Sequence, residues 1–186
     1  AEDPRRGGWP LTEAGRQRVR DESVEIKFVA DKPERYKITQ GEFTYSKGNV
    51  SFEPGKIYHR QKDLHDKFGG NRQSGIAPCA EAPIVFLFTS PKGDEFGYDD
   101  GWVSEEIYHY FGEGQTGDME MTRGNRAIRD YEVDGRELHL FKKVDTGRYE
   151  YVGQFTYLRH EIVEGLDGEQ KQRDMIRFVL KRVNDS

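Results

Sequence analysis

One cysteine, Cys79, stands among 186 residues. A lone thiol excludes an internal disulfide framework and the cysteine clusters of structural zinc sites, so a buried, inert thiol in a reducing compartment is expected. Long apolar runs are missing as well. None approaches the roughly 18 residues of a membrane span, and the opening AEDPRRGGWP has no apolar core of a secretory signal. The expectation is a soluble, cytoplasmic chain with no membrane partner. Net positive charge is also absent: Lys and Arg total 29 against 34 Asp and Glu, for a formal charge of −5. Polyanion binding draws its affinity from clustered cations, so any nucleic-acid role must rest on a local basic patch. The histidines (His59, His65, His109, His139 and His160) never fall at ligand-pair spacing, and the glycine-rich GEGQTGD lacks the Lys-Ser/Thr ending of a phosphate loop. No metal and no cofactor is expected.

What is present is enough apolar and aromatic residue, 34% and 12% of the chain, to build a core of ordinary domain size. PIVFLFTS is a nearly continuous apolar run of strand length and predicts a central strand buried on both faces. EIYHYF, ELHLFKKV, RYEYVGQFTYLRHEIV and RDMIRFVLKRV predict further strands, and FTYSKGNVSF a hairpin turning on Lys47-Gly48-Asn49. RQKDLHDKFGG predicts a helix stopped by Gly69-Gly70, and TRGNRAIRDYEVDG a helix closed by Gly135. Many strands, two or three helices and no regular βαβ alternation give an α+β class with a strongly curved, barrel-like sheet. A loop rich in turn formers, DKPERYKITQGE, separates residues 1–40, with a short basic helix and the strand VEIKFVA, from a main domain over 41–186.

Tyr98 to Asp118, YDDGWVSEEIYHYFGEGQTGD, gathers rings, carboxylates and glycines in one place. A nucleobase removed from its stack wants an aromatic face on each side and an acceptor for its exocyclic amine. Tyr98, Tyr110 or Trp102 could supply the faces, and Asp99 or Asp100 the acceptor. A carboxylate there selects cytosine or adenine, both of which offer an amino donor. The plainer alternative is an acidic turn with tyrosines packed in the core. A second alternative has Asp99, Asp100, Glu105 and Glu106 holding a divalent ion for nuclease chemistry. Arg60, Lys62, Arg123, Arg126 and Arg129 lie near these motifs and could form the local positive patch.

The ordered set HR, DLHDKFGG, Gly75-Ile76, Ile84 to Phe88, Gly97-Tyr98 with Asp99 and Asp100, Tyr110 through Gly114, and Gly124-Asn125-Arg126-Ala127 resembles the SRA (SET and RING finger associated) domain. It is most similar to the bacterial form found in modification-dependent restriction endonucleases with an HNH nuclease domain. The likeness spans about Ser51 to Tyr157. It implies a PUA-like barrel that flips a modified cytosine, 5-methylcytosine or 5-hydroxymethylcytosine, out of duplex DNA. Carried over by position, Tyr98 and Tyr110 would stack on the base, Asp100 would meet its Watson–Crick edge, and Asp99, Trp102, Phe111 and Gly112 would complete the pocket. Asn71, Arg72, Gln73 and Ser74 would form the loop that enters the duplex, with Arg60, Arg123, Asn125 and Arg126 facing DNA. Phe111 departs from the small hydroxyl residue usual after the second cage tyrosine, and the carboxylate follows Tyr98 at a shorter spacing. The partners implied are double-stranded DNA carrying a modified cytosine and a nuclease domain elsewhere in a full-length type IV-like restriction endonuclease, with a homodimer left open. A metal-dependent nuclease and a PUA-like RNA-binding module stand as alternatives. Residues 9–16, WPLTEAGR, resemble the end of a winged-helix domain, which would make residues 1–40 the remnant of an upstream domain.

Overall fold

The computed structural model describes residues 43–91 and 100–184. The strand expected over VEIKFVA, the basic helix and winged-helix likeness before it, and the domain boundary near Gly41 lie outside those residues.

Eight strands form one mixed sheet. They are β1 (Ile57–His59), β2 (Ile76–Pro78), β3 (Ile84–Thr89), β4 (Gly101–Trp102), β5 (Ile107–Phe111), β6 (Glu137–Asp145), β7 (Arg148–Leu166) and β8 (Gln172–Arg182). Their order across the sheet is β2-β3-β6-β7-β8-β5-β4, with β1 added to β7. Only β3 and β6 pair in parallel among these neighbours. The α+β class holds, but the barrel does not close: β2 and β4 remain separate edges. Their lengths explain this. β2 ends at Pro78, which has no N–H for a ladder, and β4 spans two residues, one of them glycine.

β3 is buried along its whole length, as its apolar run predicts. Its alternation feeds two clusters. Val85 and Leu87 join Leu138, Leu140, Phe155, Phe178, Leu180 and Tyr110 inside the curl of the sheet. Ile84, Phe86 and Phe88 join Phe141, Tyr151, Leu64 and Phe68 on the other face. Cys79 belongs to this second cluster, and burial pushes its thiol up to about 12.

Helix α1 begins as a π-turn over Arg60–His65 and continues as one α-turn over Asp66–Phe68. Its start is capped reciprocally: the His59 ring accepts from the Lys62 N–H, and the Asp63 carboxylate accepts from the His59 N–H. Gly69 and Gly70, both at positive φ, end it where the sequence places the stop. Helix α2, Arg123–Arg129, stops at Asp130 rather than running to Gly135, because residues 131–135 form turns closed by Gly135 N–H to Glu132 C=O and Arg136 N–H to Tyr131 C=O. Residues 43–52 form no hairpin strands. The Ser46–Asn49 turn is present, but Tyr45, Val50 and Phe52 pack as loop residues on the second cluster, which orders the segment without a ladder.

Candidate functional site

Among the described residues, the two ends of the sheet are joined along a seam by side chains rather than by a strand ladder. From β5, the Tyr110 hydroxyl lies 3.0 Å from the Gly75 carbonyl and 3.1 Å from the Phe88 carbonyl, so one proton is shared between two acceptors on the far side. Ahead of β4, Asp100 accepts from the Phe111 N–H at 2.7 Å and from the Thr89 hydroxyl at 2.9 Å. That carboxylate therefore ties the end of β3 to the end of β5. Tyr108, two residues before Tyr110 and on the same face, brings its phenol to the Thr89 hydroxyl.

This clustering sets the electrostatics. Burial pushes the Tyr108 phenol up to about 12, with the Asp100 charge adding to the rise and Thr89 opposing it. Tyr110 is 3% exposed; burial first, then the charges of Asp100 and Glu113, hold it well above the ordinary phenol range. Both phenols are neutral hydrogen-bond donors throughout physiological pH.

Two glycines allow the close packing behind the seam. A Cβ on Gly112 would sit 2.6 Å from the Asn125 side-chain oxygen, and one on Gly124 would sit 2.7 Å from Glu113 Oε1 and 2.8 Å from the Ile76 Cβ. Asn125, 1% exposed, uses its amide fully on backbone: Oδ1 accepts from the Glu113 N–H, and Nδ2 donates to the carbonyls of Glu113 and Glu120. The motif Gly124-Asn125 thus anchors the 112–114 turn, which corrects the expectation that Asn125 faces DNA.

The loop before β2 joins the same unit. Asn71 Oδ1 accepts from the N–H groups of Gln73 and Ser74, a self-closed turn. Arg60 holds it from beneath: Nη2 donates to the Ser74 carbonyl at 2.6 Å, Nε donates to His65 Nε2 at 3.1 Å, and the guanidinium stacks 3.8 Å from the centre of the Phe88 ring. Arg60 is therefore a strut of the loop. Arg72 and Gln73 are exposed at the tip, with Arg72 reaching the Asp66 carboxylate at 3.1 Å.

Of the other expected residues, Tyr98 and Asp99 lie outside the described residues. Trp102 is 45% exposed and packs edge-on against Tyr108 at 5.2 Å, with Phe155 beside it, so it borders the site by way of Tyr108. Phe111 contributes its backbone N–H, and its ring belongs to the inner core. Lys62, Arg123 and Arg126 are exposed; Arg129 is committed to Asp130 through two bonds of 2.6 and 2.8 Å. Sequence reasoning missed Thr89 and Tyr108. The signals were there: Thr89 is the polar end of an otherwise apolar strand, and Tyr108 shares the period-2 face of Tyr110. Among the described residues no three His, Cys, Asp or Glu side chains converge as a metal site.

The family described as ScoMcrA-like, SRA domain matches residues 54–186. Among solved structures, the sulfur binding domain and SRA domain of ScoMcrA complexed with phosphorothioated DNA superposes with a TM-score of 0.59 at 23% identity, over 73% of this chain and 41% of that one. The type IV phosphorothioation-dependent restriction endonuclease ScoMcrA gives the same TM-score and identity over 29% of its length. The SUVH5 SRA domain in complex with fully methylated CG DNA gives a TM-score of 0.54 at 17% identity, over 78% of this chain and 97% of that one. At these identities what is shared is the fold, and this chain spans less than half of either ScoMcrA structure. No curated protein matches the sequence. With the family's match covering most of the sequence and the fold shared with solved SRA domains, the chain belongs to the ScoMcrA-like SRA domains.

Proposed function

We propose that this domain binds double-stranded DNA and receives a modified cytosine, 5-methylcytosine or 5-hydroxymethylcytosine, flipped out of the duplex into the seam. It would serve as the specificity module of a cytoplasmic bacterial restriction endonuclease whose HNH nuclease lies elsewhere in the full-length protein. The observation that carries this reading is the Asp100 carboxylate, fixed between the Phe111 N–H and the Thr89 hydroxyl beside two buried tyrosines. An oriented acceptor next to aromatic faces is the chemistry a cytosine amino edge requires. The loop at Asn71–Ser74, tied to the seam through Gly75, would fill the gap a flipped base leaves in the stack. Solved relatives are seen on methylated CG DNA, in SUVH5, and on phosphorothioated DNA, in a ScoMcrA structure that pairs its SRA domain with a separately named sulfur binding domain.

The test is titration of matched duplexes carrying cytosine, 5-methylcytosine, 5-hydroxymethylcytosine or N4-methylcytosine, with a phosphorothioated duplex and an RNA alongside. Tighter binding to a C5-modified duplex is expected. Equal affinity for every cytosine form sinks the modified-base reading, and preference for RNA moves the domain to the other PUA-like activity. Asp100→Asn keeps an acceptor for Phe111 and should fold, yet it should lose discrimination between modified and plain cytosine, with binding weakened about tenfold or more.

A further inference from the structure

At the opposite end of β3 and β6 from Thr89, about 17 Å along the strand by its rise per residue, a cavity of about 380 Å³ opens between the 48–54 segment, the starts of β6 and β7's bulge, and the end of β8. Its floor is a buried polar chain. The Tyr151 hydroxyl lies 2.9 Å from His139 Nδ1, and His139 Nε2 lies 3.2 Å from Glu137 Oε2. With the Tyr151 hydroxyl as donor to Nδ1, an Nε2 proton would point at the carboxylate. The side chains of His139 and Glu137 are 2% and 9% exposed. Oε1 of Glu137 has no partner among the described residues, and Glu137 lines the cavity.

The walls are the rings of Phe52 and Tyr151, and the rim carries Ser51, Gln154 and Asn184. Phe52 and Tyr151 stand 5.3 Å apart at 49°, in contact with each other, so no planar base fits between them. Arg182, the other charged lining residue, is drawn toward Trp102, 5.7 Å from its ring centre. The β6–β7 ladder shifts register between Leu140 and Phe141, and Gly153 opposite adopts a positive φ, so the cavity sits on a bulge, where proteins commonly re-aim side chains at a ligand. An oriented carboxylate at the floor, aromatic walls and amides at the rim together suit a donor-rich organic cation.

We infer that this cavity binds a guanidinium head group, held by Glu137 and covered by Phe52, independently of the seam and of DNA. NMR titration of the 186-residue chain with methylguanidinium should shift the signals of His139, Gln154 and Asn184, with a dissociation constant on the order of 1 mM, the range open to so small a ligand. Neutral N-methylurea, of the same shape, should bind at least about tenfold more weakly, and Glu137→Gln should weaken methylguanidinium by a similar factor. Because a change at a buried position can unfold the chain, Ser51→Trp provides a second variant at the exposed rim; it should abolish binding with the fold intact. Equal binding of N-methylurea, unchanged affinity in Glu137→Gln, or unimpeded binding in Ser51→Trp would each overturn the inference. Free arginine and arginine capped at both ends separate the sources: stronger binding of the capped form assigns a polypeptide side chain, and stronger binding of the free form a small metabolite.

Discussion

The sheet is held by different forces in its middle and at its seam. Between β7 and β8 the chains pair continuously from Phe155–Arg182 to Leu166–Gln172, apart from one irregularity, and β6 adds a second long ladder. Across the seam, among the described residues, the links are side chains: the Tyr110 hydroxyl, the Asp100 carboxylate and the contact of Tyr108 with Thr89. A ladder of main-chain bonds opens only cooperatively, whereas each side-chain hydrogen bond contributes about 1 kcal/mol. The domain therefore has a stiff frame and one joint that can be parted at small cost, and that joint is where the proposed base would enter.

The frame can be broken first. Phe141 is fully buried, with its ring against Phe52, Tyr58, Phe86, Phe88 and Tyr151. Phe141→Ala should cost about 3–5 kcal/mol, read as a lowered urea midpoint in a single transition. A loss under 1 kcal/mol would mean that the second cluster does not share the global stability of the sheet. Next in size is the packing behind the seam. Gly112→Ala forces its Cβ against the Asn125 amide, and about 1–3 kcal/mol of overpacking strain should follow. Asn125→Ala in the same background should relieve part of that strain, giving a non-additive double-mutant cycle. Strict additivity would separate Gly112 from Asn125.

The joint itself should give the smaller effect that distinguishes it. Tyr110→Phe removes the hydroxyl that links β5 to the carbonyls of Gly75 and Phe88. The Gly75 carbonyl keeps its 2.7 Å bond from the Phe88 N–H, so global stability should fall by only about 1 kcal/mol. Hydrogen exchange at Phe111 and Gly112 should nevertheless accelerate, while β7–β8 amides change only as much as global stability does. Uniform acceleration across all strands would show that the seam is not a separate joint.

The frame was far more legible in the sequence than the joint. β3 announces itself by an unbroken apolar run, and β7 and β8 by long alternation, because burial on two faces or one leaves a composition that needs no knowledge of partners. Closure of the sheet was not legible: it depends on how many residues the edge strands offer for pairing, and β2 and β4 turned out to be three and two residues long. At the site, Asp100 and Tyr110 could be nominated by residue type. The link of Asp100 to Tyr108 through Thr89 could not, since it joins residues from three separate strands or strand ends. Asn125 illustrates the reverse error, because an asparagine in a basic motif invites a DNA-facing role, and only its burial reveals a peg that holds a glycine turn. Arg60 shows the same limit: its charge was visible, but its stacking on Phe88 was not.

The mildest way to loosen the joint is through protons. His65 is 4% exposed; its Nδ1 donates to the Gly69 carbonyl at 2.9 Å, and its Nε2 accepts from Arg60 Nε, an arrangement that requires the neutral ring. Burial lowers its pKa below the usual histidine value, the charges of Arg60 and Arg72 push it further down, and the Gly69 carbonyl and Asp66 oppose them. Between the folded-state value and about 6.5 the unfolded chain carries more protons on this ring than the folded one, so stability rises with pH across that window. The contribution present at neutral pH is lost as the pH falls below about 6.5, and the loss is complete below the folded-state value. His65→Asn keeps a donor for Gly69 but does not titrate, so its melting temperature should change less than the wild type's between pH 7 and pH 5. Since Arg60 also holds Ser74, the wild-type signals of Asn71–Ser74 should broaden over the same window and those of the variant should not. Parallel melting profiles for the two proteins would show that the Arg60–His65 bond does not hold the loop.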